Sequence, residues 1–277
     1  MTTNIIDTIY GRLASMTPTD QKIAQTILDQ PAAIVDWTIS QLATTAGVSD
    51  ASVSRFCRNL DLAGFHQLKV KVAQVAEDPS PAHATNNDDV QQYLASVTAN
   101  KVDEVTHSLD QLSTALIDQL VAWLSTASVI QVVADGDTYP VAADATYKFN
   151  QIGLFAISAQ PWETAVAQTL NLDQRAVLIA ISNSGESRTM LKTVDVAQSR
   201  GVRVIGITNR DDSPLAQRAD LHITTTVRQR VLRSEYYFSR VAAMTVIEAL
   251  YLLLIHADPE RIERIHTHEA IIADSKV

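Results

Sequence analysis

Along residues 1–76 the apolar positions recur at helical spacing, as in Ile23, Ile27 and Leu28, and no alternating run interrupts them. A small all-α domain is predicted there. The pattern then changes. A helical stretch from about Val90 to Leu124 leads into short β-branched and aliphatic runs at Val129–Ala134, Leu154–Ile157, Ala176–Ile181, Val202–Thr208 and Leu221–Thr224. A helix-length segment separates each run from the next, as in a parallel sheet covered on both faces. The expected fold class is therefore α/β: an all-α N-terminal domain, then a doubly wound five-stranded parallel-sheet domain over 90–277 with C-terminal helices. Between the two, Glu77 to Asp89 contains two prolines and no large apolar side chain, which reads as a linker.

Within the first domain, Thr38-Ile39-Ser40-Gln41 has the form of a capping box and starts a helix. Ala46-Gly47-Val48-Ser49 then supplies a glycine suited to a left-handed turn and a serine suited to cap the next helix. In that second helix Val53, Phe56, Cys57 and Leu60 fall at i, i+3, i+4 and i+7 and should face the core. Ala51, Arg55 and Arg58 then lie opposite, flanked by Ser52, Ser54 and Asn59. A helix of this kind can enter a major groove, where arginine reads guanine and hydroxyls or amides reach bases and phosphates. The candidate contacts to double-stranded DNA are Ser49, Ser52, Ser54, Arg55, Arg58 and Asn59, with Lys69 and Lys71 on the backbone. Cys57 reads as a small buried hydrophobe.

Net charge changes this picture less than its distribution does. The chain carries –9 overall, but before Glu77 six bases balance six acids, and four of those bases lie between Arg55 and Lys71. No stretch reaches the roughly 18–20 apolar residues of a spanning helix, and the nearest, Val241 to Ile255, is interrupted by Glu248. No basic-then-apolar leader opens the chain, and a single cysteine fits a reducing compartment. A cytoplasmic protein without membrane contact is expected.

In the second domain the run ending at Ile181 passes directly into Ser182-Asn183-Ser184-Gly185-Glu186-Ser187 and then a helix. Small residues at the carboxyl end of a parallel strand, entering a helix, offer N–H groups, a helix dipole and hydroxyls to a phosphate. Neither the G-x-x-x-x-G-K-[ST] nor the G-x-G-x-x-G pattern is present, which turns the reading from nucleotides toward a small phosphate ester. Candidate effector contacts are Ser182, Asn183, Ser184, Gly185 and Ser187, with Thr138 from the earlier loop Ala134-Asp135-Gly136-Asp137-Thr138.

These residues resemble the RpiR-like family of bacterial transcriptional regulators, in which a helix-turn-helix precedes a sugar isomerase (SIS) domain that senses phosphosugars. The resemblance rests on Ile39 to Leu60 with Gly64-Phe65 and Leu68-Lys69, on Ile181 to Ser187 as the S-x-S-G-x-[ST] loop, on Ile205-Gly206-Ile207-Thr208 with Ser213-Pro214-Leu215-Ala216 and Ala219-Asp220, and on Ser239-Arg240 with Glu248-Ala249-Leu250. It implies operator binding modulated by a phosphosugar, with no cofactor and no metal. Two places depart from the pattern. Asp61-Leu62-Ala63 stands where the family usually has Leu-Gly and an aromatic or Leu. Asp135 and Asp137 enter a first loop that usually reads G-x-G-x-S, and would repel an anion unless they point away or meet sugar hydroxyls.

The rival class is a sugar phosphate isomerase or lyase of the SIS type. It needs a general base, for which Glu235, Glu163, His222 and His256 are the candidates; none forms a convincing pair. His266 and His268 at i, i+2 on a helix face two directions, which suits solvated residues better than metal ligands. A third class, a sensor acting through another protein without DNA, predicts ligand binding alone. The apolar stretch from Glu235 to Ile255 holds more hydrophobic surface than one sheet face needs, so a homodimer or homotetramer is expected, against a fully buried core helix as the alternative.

Overall fold

The structure, a computed structural model, describes residues 5–35, 37–76, 90–226 and 239–273. The expected linker, 77–89, and the candidate base Glu235 lie outside the described residues. The chain divides into two compact units. One holds the described residues up to Asp103 together with Ser239, and the other holds Glu104–Thr226 and 240–273.

The first unit has only helices and the turns between them among its described residues: α1 (Ile5–Arg12), α2 (Pro18–Asp29), α3 (Pro31–Ile34), α4 (Ile39–Ala46), α5 (Asp50–Asn59) and α6 (Phe65–Ala76), then the beginning of α7 (Val90–Asp110). Ile9, Ile23, Ile27, Leu42, Val53, Phe56, Cys57 and Leu68 are fully buried in one core. Burying a side chain of this size contributes roughly 1.5–3 kcal/mol, so the helix faces predicted from spacing are also what holds the unit together. Burial pushes the Cys57 thiol up to about 11, so it packs as an inert hydrophobe.

The second unit continues through α8 (Thr114–Thr126), β1 (Ile130–Ala134), α9 (Tyr139–Gln151), β2 (Ala156–Ile157), α10 (Trp162–Thr169), β3 (Val177–Ile181), α11 (Arg188–Ser199), β4 (Arg203–Thr208), α12 (Pro214–Arg218), β5 (Leu221–Thr224), α13 (Val241–Ala257) and α14 (Arg261–Ala273). All four strand pairings are parallel, in the order β2-β1-β3-β4-β5. Strand residues alternate between two cores. Val132, Ile179 and Ile205 meet α8, α9 and α13 on one face. Val133, Leu178, Ala180 and Val204 meet α10, α11 and α12 on the other. This is the doubly wound α/β sheet expected from the sequence. No single helix among the described residues is long and apolar enough to cross a membrane.

The strand order fixes where the topological switch point of the sheet lies. From β1 the chain crosses by α9 toward the β2 edge, and from β3 it crosses by α11, on the opposite face, toward β4. The carboxyl ends of the adjacent strands β1 and β3 therefore flank a topological switch point, the place where such sheets bind ligands. The described part of the apolar C-terminal stretch begins its helix at Val241. α13 buries Val246, Ile247, Leu250 and Leu254 in the core and leaves Met244 and Leu252 exposed.

Candidate functional site

In the first unit the two helices around the turn are fixed almost entirely by neighbours in sequence. The Thr38 hydroxyl accepts from Gln41 N at 3.2 Å, and Thr38 N donates to Gln41 Oε1 at 2.7 Å. Gly47 adopts φ 66° and ψ 41° at the end of α4. Val48 N reaches Ala43 O at 2.9 Å and Gly47 N reaches Thr44 O at 3.2 Å, the paired bonds of a Schellman turn. Ser49 caps α5 by accepting from Ser52 N at 3.2 Å. Ser40 Oγ donates to Asp50 Oδ2 at 2.6 Å and ties the start of α5 to α4.

α5 presents Ala51, Arg55 and Arg58 to solvent, as its spacing predicts, with Ser54 half-buried beside them. Ser52 lies elsewhere than expected. It is only 7% exposed, its hydroxyl is 3.0 Å from that of Ser49, and it accepts from Arg55 Nη2 at 3.3 Å. One turn of helix sets Ser52 and Arg55 side by side, so the serine orients the arginine. Asn59 is exposed, yet its Nδ2 donates to Asp20 Oδ2 at 3.3 Å. Lys69 is half-buried, and its Nζ donates to the Trp37 carbonyl at 3.0 Å. Lys71 is half-buried on α6. Arg12, which the sequence did not single out, donates to Asn59 O at 3.0 Å and pairs with Asp61 at 3.4 Å, closing the end of α5.

That end departs from the family pattern in an informative way. Leu62 N donates to Cys57 O at 2.9 Å and Asp61 N to Arg58 O at 3.0 Å, a second Schellman turn. Its left-handed residue is Asp61, at φ 57°, where glycine would be unstrained.

In the second unit the loop after β3 folds on its own serines. Ser182 Oγ accepts from Gly185 N at 3.1 Å, and Ser184 Oγ accepts from Glu186 N at 3.3 Å. Both hydroxyls act as acceptors here, so each keeps its own proton for a further acceptor. Ser187 caps α11 by accepting from Met190 N at 3.3 Å. Gly185, at φ 66°, is packed so closely that an added Cβ would lie 2.6 Å from Ser213 Cβ and 3.2 Å from Thr208 Cγ2. Only glycine fits. Asn183 is 9% exposed, and its carbonyl accepts from Asn209 N at 3.0 Å. Glu186 is drawn off by Arg210, whose Nη1 lies 2.8 Å from its carboxylate and whose Nε pairs with Asp212 at 3.1 Å.

The first loop makes a short 3-10 turn, Gly136–Thr138. Thr138 is 7% exposed, and its hydroxyl donates to Asp135 O at 2.8 Å. Its partner across the crevice is Ile181 O at 3.4 Å, so it braces the two strand ends. Asp137 is exposed, 3.8 Å from Arg240. Asp135 does not point away. Its Oδ2 accepts from Ser187 Oγ at 2.6 Å and from Thr189 Oγ1 at 2.8 Å. Thr189 was missed in the sequence because its role depends on the β1–β3 pairing; a second hydroxyl two residues past the cap was the available signal.

The candidate bases among the described residues, Glu163, His222 and His256, lie apart from one another's hydrogen bonds. Glu163 and His256 are exposed. His222 is half-buried, with Nε2 2.8 Å from Thr208 Oγ1. That hydroxyl donates to Arg210 O at 2.6 Å, which makes the His222 Nε2–H the donor between the two. Burial holds the imidazole below its ordinary pKa. Among the described residues no cluster of His, Cys, Asp and Glu could hold a metal ion. His266 pairs with Glu263 at 3.8 Å, and His268 packs edge-on against Tyr147.

Comparison with known proteins matches each unit separately. Residues 3–78 match the helix-turn-helix domain of the rpiR family, and residues 124–253 match the SIS domain. The chain is 28% identical over 255 residues to an uncharacterized HTH-type transcriptional regulator of Caldanaerobacter subterraneus subsp. tengcongensis, covering 91% of this chain and 90% of that relative. It is 28% identical over 253 residues to the HTH-type transcriptional regulator HexR of Escherichia coli, covering 89% and 86%. Among solved structures, the Vibrio vulnificus NanR protein complexed with ManNAc-6P shares the fold, with a TM-score of 0.62 at 19% identity over 99% of this chain and 100% of that one.

Proposed function

We propose, for a chain that belongs to the rpiR family of helix-turn-helix regulators with a SIS domain, that it binds operator DNA through α5 and alters that binding when a phosphosugar enters the crevice between β1 and β3. The observation that carries the reading is the exposed pair Arg55 and Arg58 on a helix whose two ends are fixed by a serine cap and a Schellman turn. Rigid placement of this kind lets an arginine address a guanine edge, worth about 1–3 kcal/mol of discrimination for a good bidentate contact. Ser49 and Ser54 supply further contacts at the start and side of the helix, and Lys71 reaches the phosphate backbone. Ser52 acts by holding Arg55. Asn59 and Lys69 contact DNA only by giving up Asp20 and Trp37, so their contributions are the smaller ones.

In the crevice the Ser182 and Ser184 hydroxyl protons, the Asn183 backbone and the start of α11 receive the phosphate, Gly185 lets the backbone approach closely, and Ser187 and Thr138 stand at the margin. Phosphosugar is the ligand class to which ManNAc-6P, held by the Vibrio relative, belongs. The effector couples to DNA only if it prefers one arrangement of the protein over another. We further propose a homo-oligomer acting in the cytoplasm, using the exposed Met244 and Leu252 of α13, and a regulator rather than an enzyme, a reading supported by its likeness to HTH-type transcriptional regulators.

The test is a mobility-shift assay with duplex DNA from the neighbourhood of the protein's own gene, repeated across salt and with a phosphosugar panel. Arg55→Ala with Arg58→Ala should abolish the shift, and the natural chain should lose affinity steeply as salt rises. Retained, salt-independent binding by the double variant would exclude α5 as the reading element. Turnover of a sugar phosphate that is indifferent to these arginines would favour the isomerase class instead.

A further inference from the structure

The loop after β3 contains four hydroxyls near its helix start, and the structure divides them into two pairs. Ser182 and Ser184 accept from loop amides and keep their protons. Ser187 and Thr189 lie 2.6 and 2.8 Å from the Asp135 carboxylate and 2.9 Å from each other, so both of their protons are held within this triad. Asp135 comes from the neighbouring strand end, so this carboxylate bridges the switch-point crevice at the level where α11 begins. Hydroxyl-to-carboxylate bonds of this length are charge-assisted and strong. The negative charge also faces the first turn of α11, whose dipole favours an anion. In electrostatic terms the site already holds one anion, supplied by the protein.

We infer that Asp135 is a specificity-determining residue of the effector crevice: an internal anion that competes with the phosphate of the effector for Ser187, Thr189 and the start of α11. The inference rests on the effector reading above and deepens it. A phosphate ester enters this crevice against a carboxylate and with half of the loop's hydroxyl protons already committed. It gains the second pair only by displacing Asp135 from it. The crevice is thereby biased against small anions that bring nothing but a phosphate, and toward ligands whose sugar portion adds enough contact to offset the displacement. Glu186 does not play this part, because Arg210 pairs with it at 2.8 Å. Asp137 is exposed and lies 3.8 Å from Arg240, and its side chain is not among the partners of the loop hydroxyls.

The experiment is calorimetric titration of the full chain with inorganic phosphate and with glucose 6-phosphate, comparing the natural protein with Asp135→Asn. The amide keeps an oxygen to accept from Ser187 and Thr189 but removes the charge. Affinity for both probes should rise on the order of tenfold, the scale of one nearby like charge in a partly solvated site, while unphosphorylated glucose gains nothing. Adding Ser187→Ala to Asp135→Asn should take back most of the gain. If Asp135→Asn does not fold, Asp135→Ser, which also removes the charge, serves in its place. Equal or weaker phosphate binding by the charge-removed variant overturns the inference and leaves the effector reading standing. Failure of both proteins to bind either probe overturns the effector reading and the inference with it.

Discussion

The turn that leads into α5 and the loop that leads into α11 are made of the same parts, a left-handed glycine followed by a serine cap, and they are held in opposite ways. Around Gly47 the backbone bonds run to close neighbours in sequence, Thr44 and Ala43, and an added Cβ would meet nothing within 4 Å. Around Gly185 the space is closed by Ser213 and Thr208 from the next strand and its loop, and Leu215 N donates to Gly185 O at 3.1 Å. The first glycine answers a local conformational demand. The second answers that demand and a packing one, so the loop entering α11 is tied to the sheet while the turn entering α5 is tied mainly to itself.

The sharpest way to break this comparison is the same substitution at both sites. Gly185→Ala combines left-handed strain with a clash against Ser213, and should cost about 2–5 kcal/mol and erase any phosphosugar-induced thermal shift. Gly47→Ala carries the strain alone, about 1–2 kcal/mol, and should leave DNA binding measurable at low temperature. Equal destabilisation in denaturant titrations would show that the packing difference has no energetic weight.

A smaller effect of opposite sign is expected at Asp61. Asp61→Gly removes the strain at φ 57° and loses a 3.4 Å pair with Arg12 in which the carboxylate is 84% exposed. Exposed pairs contribute little, so the variant should be more stable by roughly 0.5–1 kcal/mol, read as a raised melting temperature. A lowered melting temperature would assign Arg12–Asp61 a larger share in closing α5.

The smallest effect concerns acid. Burial lowers the pKa of His222 in the folded chain, so below the ordinary imidazole value of about 6.5 the unfolded chain takes up a proton that the folded chain resists. Stability should therefore fall as pH drops from about 6.5 through the folded pKa, with this contribution absent above that window. His222→Gln, which keeps a side-chain N–H for Thr208, should flatten that part of the pH profile. An identical acid slope in both proteins would place the proton uptake elsewhere.

Much of this protein was legible along the chain. The capping box at Thr38, the glycine at 47, the Ser49 cap and the buried stripe Val53-Phe56-Cys57-Leu60 involve partners within a few residues, and helical geometry fixes such partners wherever the helix is placed. The five strands were legible because buried parallel strands need continuous apolar runs. The serine loop was legible as a motif at the end of such a run.

What only the tertiary structure decided are the partners brought together by helix packing and strand order. Asn59 on Asp20, Lys69 on the Trp37 carbonyl, Glu186 on Arg210 and Asp135 on Ser187 and Thr189 each join segments far apart in sequence. Spacing along a chain specifies which way a side chain leaves its own helix or strand. It does not specify which polar group of another element will be waiting there, because that depends on how all the elements settle against common cores.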